Sequence, residues 1–483
     1  MNKNKKIIII TIISLIVLTG IYLLYNTYAL TTKTTNNGDY YTINLTDSNI
    51  VSLAANEEKT VIYQINNTNN GTVSYGVAYN NSNIEVKVYS DSKDKATGTI
   101  VANDNKYIKL HLKNKTSSNT TVEITAVMGY ENGGDLIVPS DSTLVTGTYT
   151  APISLAKYIT NLYANASKST VTNNSITYNY ATSESLMNDR LGGTTSSLDG
   201  GNIRYYGASP KNYVYFNCET YPSTNCELWR IIGVFDGKIK LMRNESIGNY
   251  SWDTSASSVN SGYGVNEWSQ ADLMKLLNPG HESESVGGSL YYNSKSKTCY
   301  NGNNNATTSC NFTSTGIKND TTRNMIAETT WNLGGWNSSD IFSNVMYEKE
   351  RGATTVSNSS DGITRATTWT GKIALPYPSD YGFATDLSKC SQTLSNYYSS
   401  TDSYACRSND WMYSIFKTNT FNWLLTPLSG IARNAFNVYS AGYVNKNTSV
   451  YGANGVAPVL YLGSDQDIVA GDGSQSNPYQ LKA

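Results

Sequence analysis

Residues 423–462 read WLLTPLSGIARNAFNVYSAGYVNKNTSVYGANGVAPVLYL. Apolar runs at 423–425, 435–439, 443–445 and 456–462 are separated by Pro427, Ser429-Gly430, Gly442, Asn445-Lys446-Asn447 and the glycine-rich 452–455. Short apolar runs punctuated in this way predict a compact antiparallel meander, because Gly, Pro and Asn supply the backbone angles that tight turns need. Trp423, Phe436, Val438 and Tyr461 are its expected core. Tyr439, Tyr443, Tyr451, Asn434, Asn437 and Asn445 lie on or near its turns. They are the expected ligand-binding residues, since rigid aromatic faces flanked by amides suit sugar rings or protein epitopes.

Upstream, two apolar runs meet at Asp236-Gly237, a two-residue hairpin signal. Pairing across that turn sets Val234 opposite Ile239 and Ile232 opposite Leu241. A helix is predicted over 269–278, where Ser269 and Asp272 have capping-box spacing, Leu273, Leu276 and Leu277 form the apolar stripe, and Pro279-Gly280 ends it. A second helix is predicted over 320–333, ending at Gly334-Gly335.

The ordered set Leu228-Trp229-Arg230-Ile231-Ile232-Gly233, Thr370-Gly371-Lys372-Ile373-Ala374-Leu375, Tyr377-Pro378-Ser379-Asp380-Tyr381-Gly382, the 423–462 stretch and the tail Gly471-Asp472-Gly473 with Asn477-Pro478-Tyr479 resembles a family of bacterial and phage surface proteins. That family is related to the C-type-lectin-like fold of the formylglycine-generating enzyme. The resemblance runs from about Asn202 to the end of the sequence. It implies a C-type-lectin-like domain with a variable binding surface rather than a reaction.

The N-terminal end has a different character. Lys3, Lys5 and Lys6 precede an uncharged, mostly apolar run over 7–24, which is long enough to span a bilayer with the lysines inside and everything downstream outside. Thr27-Tyr28-Ala29 has the form of a cleavage site, so the expectation is a single-pass membrane protein, or a secreted one if the segment is removed. Residues 31–148 alternate strictly: Ile84, Val86 and Val88; Ile108, Leu110 and Leu112; Val122, Ile124, Ala126 and Met128. With Asn-Gly turns at Asn37, Asn70 and Asn132, they predict an all-β immunoglobulin-like sandwich. His111 falls beside Lys109 and Lys113 on the expected solvent face. Residues 149–200, with a short helix near Leu155 to Tyr163 and Ser/Thr/Asn-rich sequence after it, read as a linker. The expected fold class is thus α+β: membrane segment 1–30, sandwich 31–148, linker 149–200 and C-type-lectin-like domain 201–483.

Composition narrows the function. Charged residues are 15% of the 483-residue chain, net charge is -1, and Tyr outnumbers Phe 38 to 8. No basic block is present, which argues against nucleic acid as the partner. The 6 cysteines fall in sequential pairs, Cys218 with Cys226, Cys299 with Cys310 and Cys390 with Cys406, and an exported context favours disulfides over zinc. A catalytic thiol needs a nearby cation or His, and His281 lies beside Glu282 and Glu284. Asp361, Asp380 and Asp386 are the carboxylates a glycosidase would use, although single acids in Gly/Ser loops are usually turn formers. No cofactor is expected apart from calcium at Asp465-Gln466-Asp467 and Asp472. The expected function is a surface-displayed protein that binds a glycan or protein ligand and is not an enzyme. The alternatives are a structural cell-envelope component, an oxidase like the formylglycine-generating enzyme, or a glycosidase.

Overall fold

A computed structural model describes residues 41–129, 134–191, 200–254, 264–352, 365–397 and 401–483. The chain is mostly β, with several sheets and few helices, and divides into two compact units, Met1–Ala151 and Pro152–Ala483. The expected membrane run lies outside the described residues; among those described, no helix is long and apolar enough to cross a membrane.

Two sheets make the first unit. One has the order Tyr41–Asn44, Glu58–Asn66, Asn105–Asn114, Ile84–Tyr89, Thr148–Tyr149; the other has Ser48–Leu53, Thr120–Gly129, Val73–Tyr79, Thr97–Ile100, with Thr143–Leu144 also on Val73–Tyr79. The alternating residues Ile84, Val86, Ile108, Leu110, Leu112, Val122, Ile124 and Ala126 enter one shared core, flanked by half-buried Val88 and Met128. His111 does not face solvent as expected. It is 3% exposed because the added strand Thr148–Tyr149, parallel to Val88 and Tyr89, covers that face. Its ring stacks on Tyr149 with centroids 3.5 Å apart, and Nε2 lies 3.2 Å from Glu58 Oε2.

Burial holds the His111 imidazole below its ordinary value of 6.5, against the pull of Glu58 and Glu85. A folded pKa below the unfolded one means that stability is present above the unfolded value and lost as the pH falls through the folded one. Amide protection in Asn105–Asn114, taken relative to the intrinsic exchange rate at each pH, should therefore fall as the pH drops from about 7 to about 5. His111→Phe, which keeps a ring against Tyr149, should lose that acid sensitivity. An equal loss of protection in both proteins would remove His111 as its cause.

The second unit begins within the expected linker, which is not a spacer. Helix Leu155–Asn165 is capped by Ser154, whose side chain accepts from Lys157 N at 3.3 Å, and buries Leu155, Ala156, Ile159 and Tyr163. Strands Ser169–Asn173, Ile176–Ala181 and Leu186–Asn188 then form one side of a nine-stranded sheet that continues through Ile203–Tyr205, Glu227–Phe235, Lys238–Arg243, Val459–Tyr461 and Ile373–Ala374, with Tyr213–Phe216 also on Glu227–Phe235. Composition misled here: polar side chains alternate with Tyr178, Tyr180 and Met187, which are buried.

The Asp236-Gly237 hairpin forms with Val234 opposite Ile239, but Leu241 faces Ile231 instead of Ile232, because the register shifts between Ile231 and Gly233. The extra residue is a bulge, which pattern reading does not register. The predicted 269–278 helix is a 3₁₀ turn Trp268–Gln270 followed by helix Asp272–Leu277. No capping box forms there: Ser269 Oγ donates to Glu267, and Asp272 accepts from Thr254 N. The predicted 320–333 helix stops at Met325, and Thr329–Asn332, rich in β-forming side chains, is a strand paired with Thr368–Gly371.

The closing stretch does not form a single meander. Phe421–Pro427, Asn434–Tyr439 and Val444–Ser449 are antiparallel neighbours in a five-stranded sheet with Asn249–Ser251 and Ala453–Gly455. The last strand, Val459–Tyr461, leaves it for the nine-stranded sheet, between Lys238–Arg243 and Ile373–Ala374. The closing stretch therefore ties the two sheets into one core, to which Trp423, Phe436, Val438 and Tyr461 all belong.

Candidate functional site

The turn joining Asn434–Tyr439 to Val444–Ser449 carries a group of half-buried aromatic side chains. Phe421 lies opposite Tyr439 in register, and their rings sit 5.1 Å apart; Tyr439 and Tyr443 follow at 5.2 Å. All three are half-buried, forming an aromatic row along one sheet face. Beneath the turn, three side chains donate to consecutive carbonyls: Tyr413 Oη to Ser440 at 3.1 Å, Arg407 Nη1 to Ala441 at 2.6 Å and Tyr381 Oη to Gly442 at 2.6 Å. Gly442 has φ +105, and a Cβ there would come within 2.9 Å of the Arg407 side chain, so only glycine fits the turn against its supports. Tyr404, 62% exposed, stands beside the Arg407 guanidinium at 5.3 Å.

Of the residues expected to face a ligand, Tyr439 and Tyr443 come together in this row. Asn445 is half-buried at the start of the next strand, where its amide donates to Thr448 and accepts from Asn447 N, closing a local turn. Tyr451 is half-buried in a separate turn, where its carbonyl accepts from Ser251. Asn434 and Asn437 are corrections, because their strand is flanked on both sides and they are 8% and 0% exposed. Phe421, Tyr404, Arg407 and Tyr413 were missed. Phe421 was legible, since it alternates with Trp423 and so shares its face; the other three come from helices that sequence reading did not place.

The most perturbed ionisable groups lie inside the unit. Asp380 accepts from Arg204 Nη1 at 3.0 Å, from Lys240 Nζ at 2.5 Å and from Tyr377 N at 3.0 Å, and all three charged side chains are at most 1% exposed. Arg204 Nε also reaches Asp189 at 2.6 Å. Burial works to raise the Asp380 carboxyl, yet Lys240 and Arg204 hold it below its ordinary value. Burial pulls Lys240 down to about 8 and pushes Glu350 up to about 7, where Glu350 accepts from Ser379 N and Oγ. Asp380 is thus a buried ion-pair centre rather than a turn former or an exposed acid. Asp386 accepts from Ser388, with Lys389 3.4 Å away, and Asp361 lies outside the described residues. One further pair of acids was missed. Burial and Asp253 push Asp272 up to about 7, and both carboxyls accept backbone amides, Asp253 from Val265 and Asp272 from Thr254.

The cysteines form three disulfides in the sequential pattern, Cys218–Cys226, Cys299–Cys310 and Cys390–Cys406, leaving no free thiol. Such bonds belong to an extracellular, oxidising setting. Asp465 and Asp467 line a surface cavity of about 450 Å³ with Thr321, Asn324 and Lys482, whereas Asp472 caps its own turn by accepting from Ser474 N. Among the described residues no group of three or more His, Cys, Asp or Glu side chains is arranged to hold a metal.

No protein-family model matches the sequence, and no curated protein does. One solved structure, the pre-peptidase C-terminal domain of collagenase from Bacillus anthracis, is similar over 19% of this chain and 99% of its own, with 14% identity and a TM-score of 0.14.

Removing one partner from a buried ion pair strands the others, at a cost of about 3–5 kcal/mol. Asp380→Asn should therefore lower the melting transition of the second unit by many degrees and leave that of the first unchanged. A variant that melts at the parent temperature would show that Arg204 and Lys240 are satisfied without the charge.

Proposed function

We propose that this is a surface-displayed binding protein whose second unit recognises a glycan. In this reading the second unit is a C-type-lectin-like domain, the first an immunoglobulin-like spacer, and the segment 1–30 the means of display. The observation that carries it is the aromatic row Phe421, Tyr439 and Tyr443 on a turn fixed by three buried or half-buried donors. Aromatic faces bind the C–H surfaces of sugar rings, and a turn already held in one shape loses little freedom when a ligand arrives.

A glycan array probed with the full chain tests the reading directly. Tyr439→Ala should weaken binding to the retained glycan roughly tenfold, the loss of one stacking face. Tyr381→Phe keeps every ring of the row but leaves the Gly442 carbonyl without its buried donor. It should speed dissociation by loosening the turn, with little effect on association. If both variants bind as the parent does, the site is elsewhere. If the array is blank while a protein on another cell captures the chain, the ligand is a protein. Self-association with no soluble ligand would favour the cell-envelope alternative.

A further inference from the structure

Almost every buried cation of the second unit has an acid beside it. Arg204 has Asp189 and Asp380, Lys240 has Asp380, Arg243 has Glu227 at 3.0 Å and Arg365 has Glu267 at 3.7 Å. Arg230 is the exception among the described residues. It is 2% exposed, and its one hydrogen bond runs from Nε to the neutral Asn212 Oδ1 at 2.6 Å. Asn212 cannot turn away, because its own Nδ2 donates to the Ile231 carbonyl at 2.8 Å. The guanidinium lies 3.8 Å from the ring centre of Tyr213 and 4.7 Å from that of Trp411. Aromatic faces offset part of the cost of burying the charge, but they leave the Nη donors unpaired. Burial accordingly pulls this guanidinium down to about 10.

We infer that Arg230 is the cation of a carboxylate-binding site, with Tyr213 and Trp411 as its walls. With Nε committed to Asn212, the free edge of the guanidinium is the Nη1/Nη2 pair, a fork whose spacing matches the two oxygens of a carboxylate. The Tyr213 wall leads toward the surface. Tyr213, on the strand next to Arg230, is only half-buried; its hydroxyl donates to exposed Gln475 at 3.4 Å, and exposed Lys211 stands two residues before it. The ligand class is a small carboxylic acid, either free or as the acid group of a sugar. This site shares no residue with the aromatic row, so the two stand or fall separately.

Equilibrium dialysis of the full chain against radiolabelled acetate and radiolabelled glucuronate, at constant ionic strength in sodium chloride, tests the assignment. Saturable uptake of both labels at one equivalent supports a site for the bare carboxylate; uptake of glucuronate alone supports one for an acidic sugar. Arg230→Lys keeps the charge but not the fork and should weaken uptake roughly tenfold, the equivalent of one charge-assisted hydrogen bond. Arg230→Gln should abolish it. Should the Gln variant fail to fold, the Lys variant, checked for an unchanged melting transition, decides. No saturable uptake by the parent, equal uptake by a folded variant, or displacement by chloride as effective as by carboxylate would each overturn the assignment.

Discussion

The second unit depends on a carboxylate taken fully out of water. Asp380 joins strand Ile203–Tyr205 through Arg204, strand Lys238–Arg243 through Lys240 and the first turn of helix Pro378–Ala384 through the Tyr377 amide. Burying three charges is expensive, and the cost is recovered only when the geometry is complete. Alternative packings of the helix on the sheet would leave at least one charge unpaired. Rings of Phe235 and Phe383 lie 4.6 and 4.9 Å from the Arg204 guanidinium and keep the cluster dry.

Amides do for the loops what this cluster does for the sheet. Asn266 donates to the carbonyls of Leu428, Ile431 and Asn434; Asn278 clamps Met274 and Ile373; Asn217 holds Gly316 and Lys318; and Asn67 holds Gly71, Ile100 and Val101. Long irregular segments can be buried because each of these side chains supplies the donors and acceptors that secondary structure would otherwise provide. The Asn richness that reads in sequence as adaptable surface chemistry is in large part internal carpentry. Asn434 and Asn437 are interior for a different reason: both neighbouring strands close over them.

What sequence reading captured follows from local rules. Alternation located the first unit's core, and in the second unit the Asp-Gly pair located a hairpin and cysteine spacing the disulfides, because each is settled by residues close in sequence. Three things were not local. His111 is buried by a strand that arrives some forty residues later, residues 169–188 are recruited to a sheet whose centre is formed by 227–243, and Val459–Tyr461 crosses from one sheet to another. Of the aromatic row, Tyr439 and Tyr443 were read from the sequence, and Phe421 was legible there through its alternation with Trp423. Arg407, Tyr413 and Tyr381 required knowing which helices lie under the turn.

The cluster and the turn are connected by one helix. Asp380 and Tyr381 are adjacent in Pro378–Ala384; the first is held by Arg204 and Lys240, and the second donates to Gly442 in the aromatic turn. A short helix contributes little stability by itself, so its position is set by the ion pairs at its start. The Tyr381 hydroxyl can meet Gly442 at 2.6 Å only while that start is in place. The spacing of Phe421, Tyr439 and Tyr443 is therefore governed from the interior. The support lies beneath the turn, so the half-buried rings above it can differ in kind without removing those three hydrogen bonds. That separation of a fixed frame from a free face is the physical basis for reading this surface as a recognition site.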